Sequence, residues 1–445
     1  GLDMASSPRN MNAAAVLVER AKACLRNLDL DPWEFHAAID ALEEQELKSF
    51  GYDYFYFNLL SVFGATREVA EIRRLAAECN RTKLRSGWAA CRYILDLKRG
   101  ACPLVPRLRN WNTKMLEEAL AKGRGLLLCA THFGAFRSIT SDLLAMGFSL
   151  NVGLDSGSSA NMKGLSELAG EAQQDNGRAA ATLRVGKGVF RVVDVEQNRL
   201  GTTMLLAALK RNEIVLLFID GNTGIDGNRG KSNRADLSFL SHRCLVKAGA
   251  ANLALLSGAS MMHVVALNGS GPQVPEVALQ HLFKTASFSS DNKREQRASA
   301  ITREIYQQLE SFILRYPEQW ESACLLHRWR APETQPMEFP TPNTDEVSLM
   351  LEQAGPVGLK PERVARVDTG SGPMLVDVSN LRVFQIGTGL EPVLQKLCDS
   401  EFSYGYFQQV ARDRKKEVAT LLSRLCSLQW IAPATRGQPP PSVGG

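Results

Sequence analysis

Two apolar runs in the sequence end abruptly in a side chain that can carry a proton. Gly125-Leu126-Leu127-Leu128-Cys129-Ala130-Thr131 leads into His132-Phe133-Gly134-Ala135-Phe136-Arg137, and Glu213-Ile214-Val215-Leu216-Leu217-Phe218-Ile219 leads into Asp220. Runs of this length and apolarity predict buried strands. Open α/β sheets bind ligands beyond the carboxyl ends of such strands, so His132 and Asp220 are expected to face one crevice. Imidazole is the side chain most readily poised as a general base near neutral pH. Backbone N–H groups near Gly134 can hold a developing oxyanion, and the Arg137 guanidinium can grip a phosphate or carboxylate as a fork. The bland alternatives are a satisfied core histidine and an aspartate that caps a turn.

The elements that must position these residues follow from hydrophobic periodicity. Residues 11 to about 100 read as helices: Ala13 to Leu28, a helix opened by Asp31-Pro32 and running to about Ser49, Glu68 to Asn80, and Lys83 to Leu97. The aromatic cluster Tyr52 to Phe57 reads as packing. From Asn110 strands alternate with helices. The strands are Gly125 to Ala130, Phe148 to Leu154, Glu213 to Ile219 and Met261 to Leu267. The helices are Asn112 to Lys122, Ser138 to Met146, Thr202 to Arg211, Cys244 to Ser257 and Ala298 to Arg315. This alternation predicts an α/β fold with a mostly parallel central sheet covered by helices.

The chain of 445 residues is long enough for two or three domains. Its 44% hydrophobic and 22% charged residues are ordinary for a globular protein. A net charge of +5 argues against a dedicated nucleic-acid binder and leaves room for a local basic patch facing phosphate or an anionic membrane. The nine cysteines are scattered and form no CxxC pair, which predicts a reducing, cytoplasmic setting and no zinc site. No apolar stretch reaches the roughly 20 residues of a membrane-spanning helix, so membrane contact is expected to be peripheral at most.

Four blocks, taken together over about residues 110 to 330, resemble the lysophospholipid-acyltransferase-like superfamily, and within it the lauroyl and myristoyl transferases of lipid A synthesis. The blocks are His132 to Arg137, the Asp220-Gly221-Asn222 strand end followed by Ser238-Phe239-Leu240-Ser241-His242-Arg243, the Leu256-Ser257-Gly258-Ala259 phrase, and Tyr316-Pro317-Glu318-Gln319-Trp320 leading to His327-Arg328-Trp329-Arg330. The resemblance implies a glycerolipid-acyltransferase-like fold and an acyl thioester, on the phosphopantetheine of an acyl carrier protein or on CoA, as co-substrate. No bound cofactor is implied. The family's pair is His-x4-Asp/Glu, and Arg137 stands in the acidic position here. Three outcomes remain open: Asp220 or Asp142 supplies the carboxylate, His132 acts alone on an amine, or the site is not catalytic. By the same resemblance, Gly134, Phe136, Arg137 and Arg243 are candidates for binding substrate. Arg229, Lys231 and Arg234 lie in a glycine-rich loop that can attract an acidic carrier protein, and His327-Arg328 reads as structural.

The organisation expected from sequence is a helical region over 1–105, an acyltransferase-like domain over 106–330, a Pro- and Thr-rich linker over 331–345, a small α+β domain over 346–433 and a disordered tail over 434–445. In the small domain a hairpin around Ser379-Asn380 precedes helices Glu391 to Cys398, Tyr404 to Val410 and Lys415 to Ser427 and a closing Leu428-Gln429-Trp430-Ile431 segment. This pattern resembles the winged-helix, PqqD-like peptide-chaperone domains, which implies a peptide or protein partner taken up as an added strand. The combined expectation is an acyltransferase delivering an acyl group to a hydroxyl or amine in the biosynthesis of a lipid or acylated natural product, with His132 as base. A thioesterase and a non-catalytic acyl- or peptide-binding protein are the alternatives.

Overall fold

The computed structural model describes residues 32–99, 107–154, 180–185, 188–195, 199–220, 234–269, 274–285, 291–331, 339, 343–369 and 372–434. The Ala13 to Leu28 helix, the 221–233 loop, most of the 331–345 linker and the tail lie outside these residues. The chain divides into two compact units, one of Gly1–Leu59 with Glu68–Ala331 and one of Leu60–Arg67 with Pro332–Gly445.

In the first unit the helices α1 (Pro32–Asp40), α2 (Glu44–Leu47), α3 (Tyr52–Phe63) and α4 (Val69–Arg99) lead to α5 (Thr113–Ala121). The helix expected from Asp31 to Ser49 is broken after Asp40, and the two expected between Glu68 and Leu97 are one continuous helix. Strands and helices then alternate: β1 (Leu126–Ala130), α6 (Phe136–Ala145), β2 (Leu150–Leu154), β3 (Ala180–Val185), β4 (Gly188–Asp194), α7 (Arg199–Lys210) and β5 (Ile214–Phe218). A hairpin of β6 (Arg234–Phe239) and β7 (His242–Lys247) precedes α8 (Gly249–Ser257), β8 (Ser260–Leu267), β9 (Glu276–Phe283), α9 (Asp291–Arg315) and the short α10 (Leu326–Trp329). Cys244 to Lys247, expected as the start of a helix, is strand. Leu240 and Ser241 turn that hairpin at φ 51° and 67°, without the Gly or Asn that signals such a turn.

The main sheet has seven strands in the order β3-β4-β2-β5-β1-β8-β9. The pairings from β4 to β8 are parallel, and β3 and β9 close the edges antiparallel. The α/β class with a mostly parallel, helix-covered sheet is therefore present. All five residues of β1 are buried because both sheet faces are covered. Leu126, Leu128 and Ala130 pack on one side with Ile139 and Leu143 of α6, and Leu127 and Cys129 on the other with Leu209 of α7, Ala254 of α8 and Ile305 of α9. Each leucine and isoleucine among them contributes roughly 1.5–3 kcal/mol by leaving water. Gly125, which starts this strand at φ 78°, has room for no Cβ because Leu209 backbone would lie 2.8 Å away.

The second unit contains α11 (Thr344–Ala354), β10 (Val357–Leu359), β11 (Val364–Thr369), β12 (Gly372–Asp377), β13 (Val383–Gln385), α12 (Glu391–Cys398), α13 (Tyr404–Gln409), α14 (Arg412–Ser427) and β14 (Ile431–Pro433). Asn343 caps α11 by accepting from the Asp345 N–H, so this helix begins inside the stretch expected to be linker. β11, β12 and β13 form an antiparallel sheet, and β10 pairs with β14. Leu375, Leu394, Phe402, Phe407, Leu422 and Trp430 fill its core. Among the described residues no helix is long and apolar enough to cross a membrane.

Two buried histidines give the first unit an acid-sensitive core. His327 is packed against Tyr54 and Phe57, and its Nδ1 lies 3.1 Å from Asn58 Nδ2. Burial first, then Arg328 and Arg330, push its pKa down to about 3. Burial likewise lowers His263 on β8 to about 4 against a hydrogen bond with Gln308. Both stay neutral in the fold while the unfolded chain protonates near 6.5. The stability they support is complete above that value and falls as pH drops toward the folded pKa, at about 1.4 kcal/mol per pH unit for each group. Urea unfolding between pH 6.5 and 5 should show this slope, and His327→Gln should remove its share. An unchanged slope in that variant would refute the assignment.

Candidate active site

Strands β1 and β5 lie side by side in register, with Ala130 opposite Phe218, and the Ile219 N–H donates to Ala130 O at 3.1 Å. Two residues further on, the same register brings His132 and Asp220 together. The imidazole Nδ1 is 2.8 Å from Asp220 Oδ1, and the His132 backbone N–H donates to Oδ2 at 2.9 Å. A carboxylate only accepts, so Nδ1 carries the proton and Nε2 keeps its lone pair. The Asp220 side chain is fully buried while the His132 side chain is 31% exposed, which leaves the ring a path to a ligand.

Asp220 has one more donor. The Ser322 hydroxyl donates to Oδ2 at 2.6 Å, and Trp320 Nε1–H donates to Ser322 Oγ at 3.0 Å. Burial alone would raise this carboxyl's pKa; the His132 ring and the hydrogen bonds from Ser322 and the His132 N–H outweigh it and hold it below the usual carboxylate range. Phe136 meets the His132 ring edge-on at 5.0 Å, Phe218 lies at 5.0 Å, and the two phenyl rings are themselves edge-on at 5.5 Å, so the three rings form one cluster.

Arg137 does not act on the imidazole as a substitute for the absent acid. Its NH1 bonds both oxygens of Glu321 at 2.9 and 2.7 Å, and its guanidinium lies 4.3 Å from the Phe136 ring centre. The Glu321 N–H in turn donates to His132 O at 2.9 Å. The chain from Pro317 to Leu325 thus fastens onto the strand-end loop, with the Gly134 N–H donating to Gln319 O at 2.8 Å and Asn268 N–H to Gln319 Oε1 at 2.9 Å. Sequence reading did not single out Ser322 or Glu321. They lie in short turns of 3₁₀ helix and carry no periodic signal.

The expected oxyanion donors near Gly134 are already used. The N–H groups of His132, Phe133, Gly134 and Ala135 bond Asp220, Thr131 O, Gln319 O and Ala266 O respectively. Gly134 has a different reason to be glycine: its φ is +60°, and a Cβ would stand 2.0 Å from Ala266 O. Asp142 is not the partner of His132 either. It is buried, accepts from the Leu108 N–H and Trp111 Nε1–H at 2.9 and 2.8 Å, and burial raises its pKa. Arg243 has an exposed side chain on the β6–β7 hairpin, where it grips Asp236 through Nε and NH2. Arg229 and Lys231 fall in the loop outside the described residues, and Arg234 begins β6. Among the described residues no group of three His, Cys, Asp or Glu is placed to hold a metal ion.

The Glu321 carboxylate is 2% exposed and Arg137 26%, so the pair is asymmetric. Removing Arg137 takes a two-point cationic partner from a buried carboxylate, whereas removing the Glu321 charge leaves a cation with access to water. Arg137→Met should therefore cost more in urea unfolding than Glu321→Gln. The double variant should recover part of the loss. Equal costs would show that the pair is not an ion pair of this kind.

No family model matches the chain, and no curated protein matches it.

Proposed function

We propose that this protein is an acyltransferase that moves an acyl group from a carrier-protein or CoA thioester to a hydroxyl or amine. The observation that carries the reading is the 2.8 Å contact between His132 Nδ1 and the buried Asp220 carboxylate. It supplies, from the neighbouring strand end, the carboxylate that Arg137 displaces from the His-x4-Asp/Glu position of the resembled family. The four sequence blocks that resemble lipid A lauroyl and myristoyl transferases support the choice of reaction.

In this reading Nε2 of His132 removes the proton from the acceptor hydroxyl or amine as its oxygen or nitrogen attacks the thioester carbonyl. Asp220 keeps the ring oriented and stabilises the imidazolium that forms. The tetrahedral oxyanion collapses with cleavage of the carbon–sulfur bond, and the imidazolium returns its proton to the departing thiolate. With the Gly134 amide occupied, the positive end of the α6 dipole, which starts at Phe136 four residues after His132, is the candidate to stabilise the developing charge. Phe136 and Phe218 cover part of the ring, and the exposed part is left for the acceptor. The C-terminal unit, in this reading a winged-helix-like domain of the PqqD type, brings a protein-borne or peptide substrate and carries no chemistry.

Acyl-carrier and acyl-CoA thioesters should be incubated with candidate alcohols and amines, followed by thiol release and intact mass. Transfer should fall by roughly 10²–10⁴ in His132→Ala, and Asp220→Asn should lower turnover more than it raises the donor KM. Thiol release with free acid as the sole product would make the protein a thioesterase. Full activity in a folded His132→Ala variant would remove the site assignment.

A further inference from the structure

We infer that the Ser322 hydroxyl is a positioning residue of the His132–Asp220 pair, holding the carboxylate ionised and fixing which of its oxygens meets the imidazole. The inference rests on the functional reading above for its catalytic meaning, though not for its geometry.

Proton bookkeeping sets the direction of the chain of bonds. An indole N–H can only donate, so Ser322 Oγ accepts from Trp320 at 3.0 Å. The hydroxyl proton is then left for Asp220 Oδ2, 2.6 Å away. Oδ2 also receives the His132 backbone N–H, so two donors occupy it, and Oδ1 is presented to Nδ1 of the ring. Trp320 and Ser322 are themselves buried, at 0% and 2% exposure, so water does not compete for these bonds. Trp320 is held edge-on to Phe239 and bridges to Phe133 in the loop that carries His132. The hydroxyl is thereby fixed from both ends, and a rotated carboxylate would lose one of its bonds.

Hydrogen bonds to the charged form favour it, so the hydroxyl withdraws basicity from Asp220. A less basic carboxylate stabilises imidazolium less, and His132 then surrenders its proton more readily. Other ionisable groups around this pair leave the effect to Ser322. Tyr306 of α9, which senses the Asp220 charge, has its hydroxyl proton held far above the working range by burial. Glu321 of the same turn and Arg137 of α6 neutralise each other. Loss of the hydroxyl should raise the proton affinity of the hydrogen-bonded His132–Asp220 pair.

The test is the pH titration of the His132 Cε1–H resonance in the full-length protein, assigned by its disappearance in His132→Ala. In Ser322→Ala the midpoint should rise by about half a pH unit or more. Ser322→Thr, which keeps a hydroxyl, should return it toward the parent value. Trp320→Phe, which keeps an aromatic side chain but loses the indole N–H, should give a smaller shift of the same sign and serves if Ser322→Ala does not fold. Where transfer is measurable, the acidic limb of kcat/KM should move upward with the resonance. An unmoved midpoint in both folded variants would overturn the inference. A moved midpoint in a protein that transfers no acyl group would leave the inference standing and remove the functional reading.

Discussion

The structure depends on one buried charge. Asp220 sits where water cannot reach it, and an unpaired carboxylate there would cost several kcal/mol. It is tolerated because two separate stretches of chain bring donors to it: the loop after β1 gives a backbone and a ring N–H, and the turn after α9 gives a hydroxyl. None of these donors arrives unless β1 and β5 pair in parallel and in register, and unless the chain returns after Arg315 to lie across their ends. The sheet order and the site geometry are thus consequences of the same packing. A slip of one residue between β1 and β5 would turn either His132 or Asp220 to the opposite face.

The return segment explains why Arg at position 137 is compatible with a polar site. A cation beside the imidazole would make its protonated form harder to reach. Glu321 cancels that charge within the same short stretch that supplies Ser322, and its N–H also holds His132 O. Arg137 is therefore a strut between α6 and the return segment. The tight approach of Gly134 to Ala266 O serves the same fastening, since a side chain there would push the loop off β8.

What the sequence made legible was what hydrophobic periodicity and strand ends encode. The strands of His132 and Asp220, the helices between them and the meeting of those two side chains all follow from long apolar runs in a parallel, two-sided sheet. What it concealed had no periodic signal. The β6–β7 hairpin turns on Leu240-Ser241, which lacks turn chemistry, and so Cys244 read as helix. β9 alternates only weakly, with two of its eight residues buried. Ser322 and Glu321 matter through their place on a returning turn, which no local spacing announces. Arg243 is a substrate-binding candidate by the block it shares with the resembled family, and in the hairpin its guanidinium bonds Asp236.

The site's composition also restricts its chemistry. Cys129 stands three residues before His132 but is fully buried in β1, and burial pushes its thiol far above the range where a thiolate forms. Cys244 is held up to about 12 and Cys324 is raised too, both by burial. A thiol nucleophile needs the opposite environment, exposed and electropositive. Ser322, the hydroxyl nearest the pair, has its proton committed to Asp220 and is 2% exposed, so it is not free to attack a carbonyl. With an imidazole nitrogen as the group that these described residues present, the proposed reaction uses removal of a proton from an incoming molecule and places no acyl-enzyme on Cys129 or Ser322. In that reading, selectivity between an acceptor and water rests with what binds beside His132, because the base itself does not distinguish them.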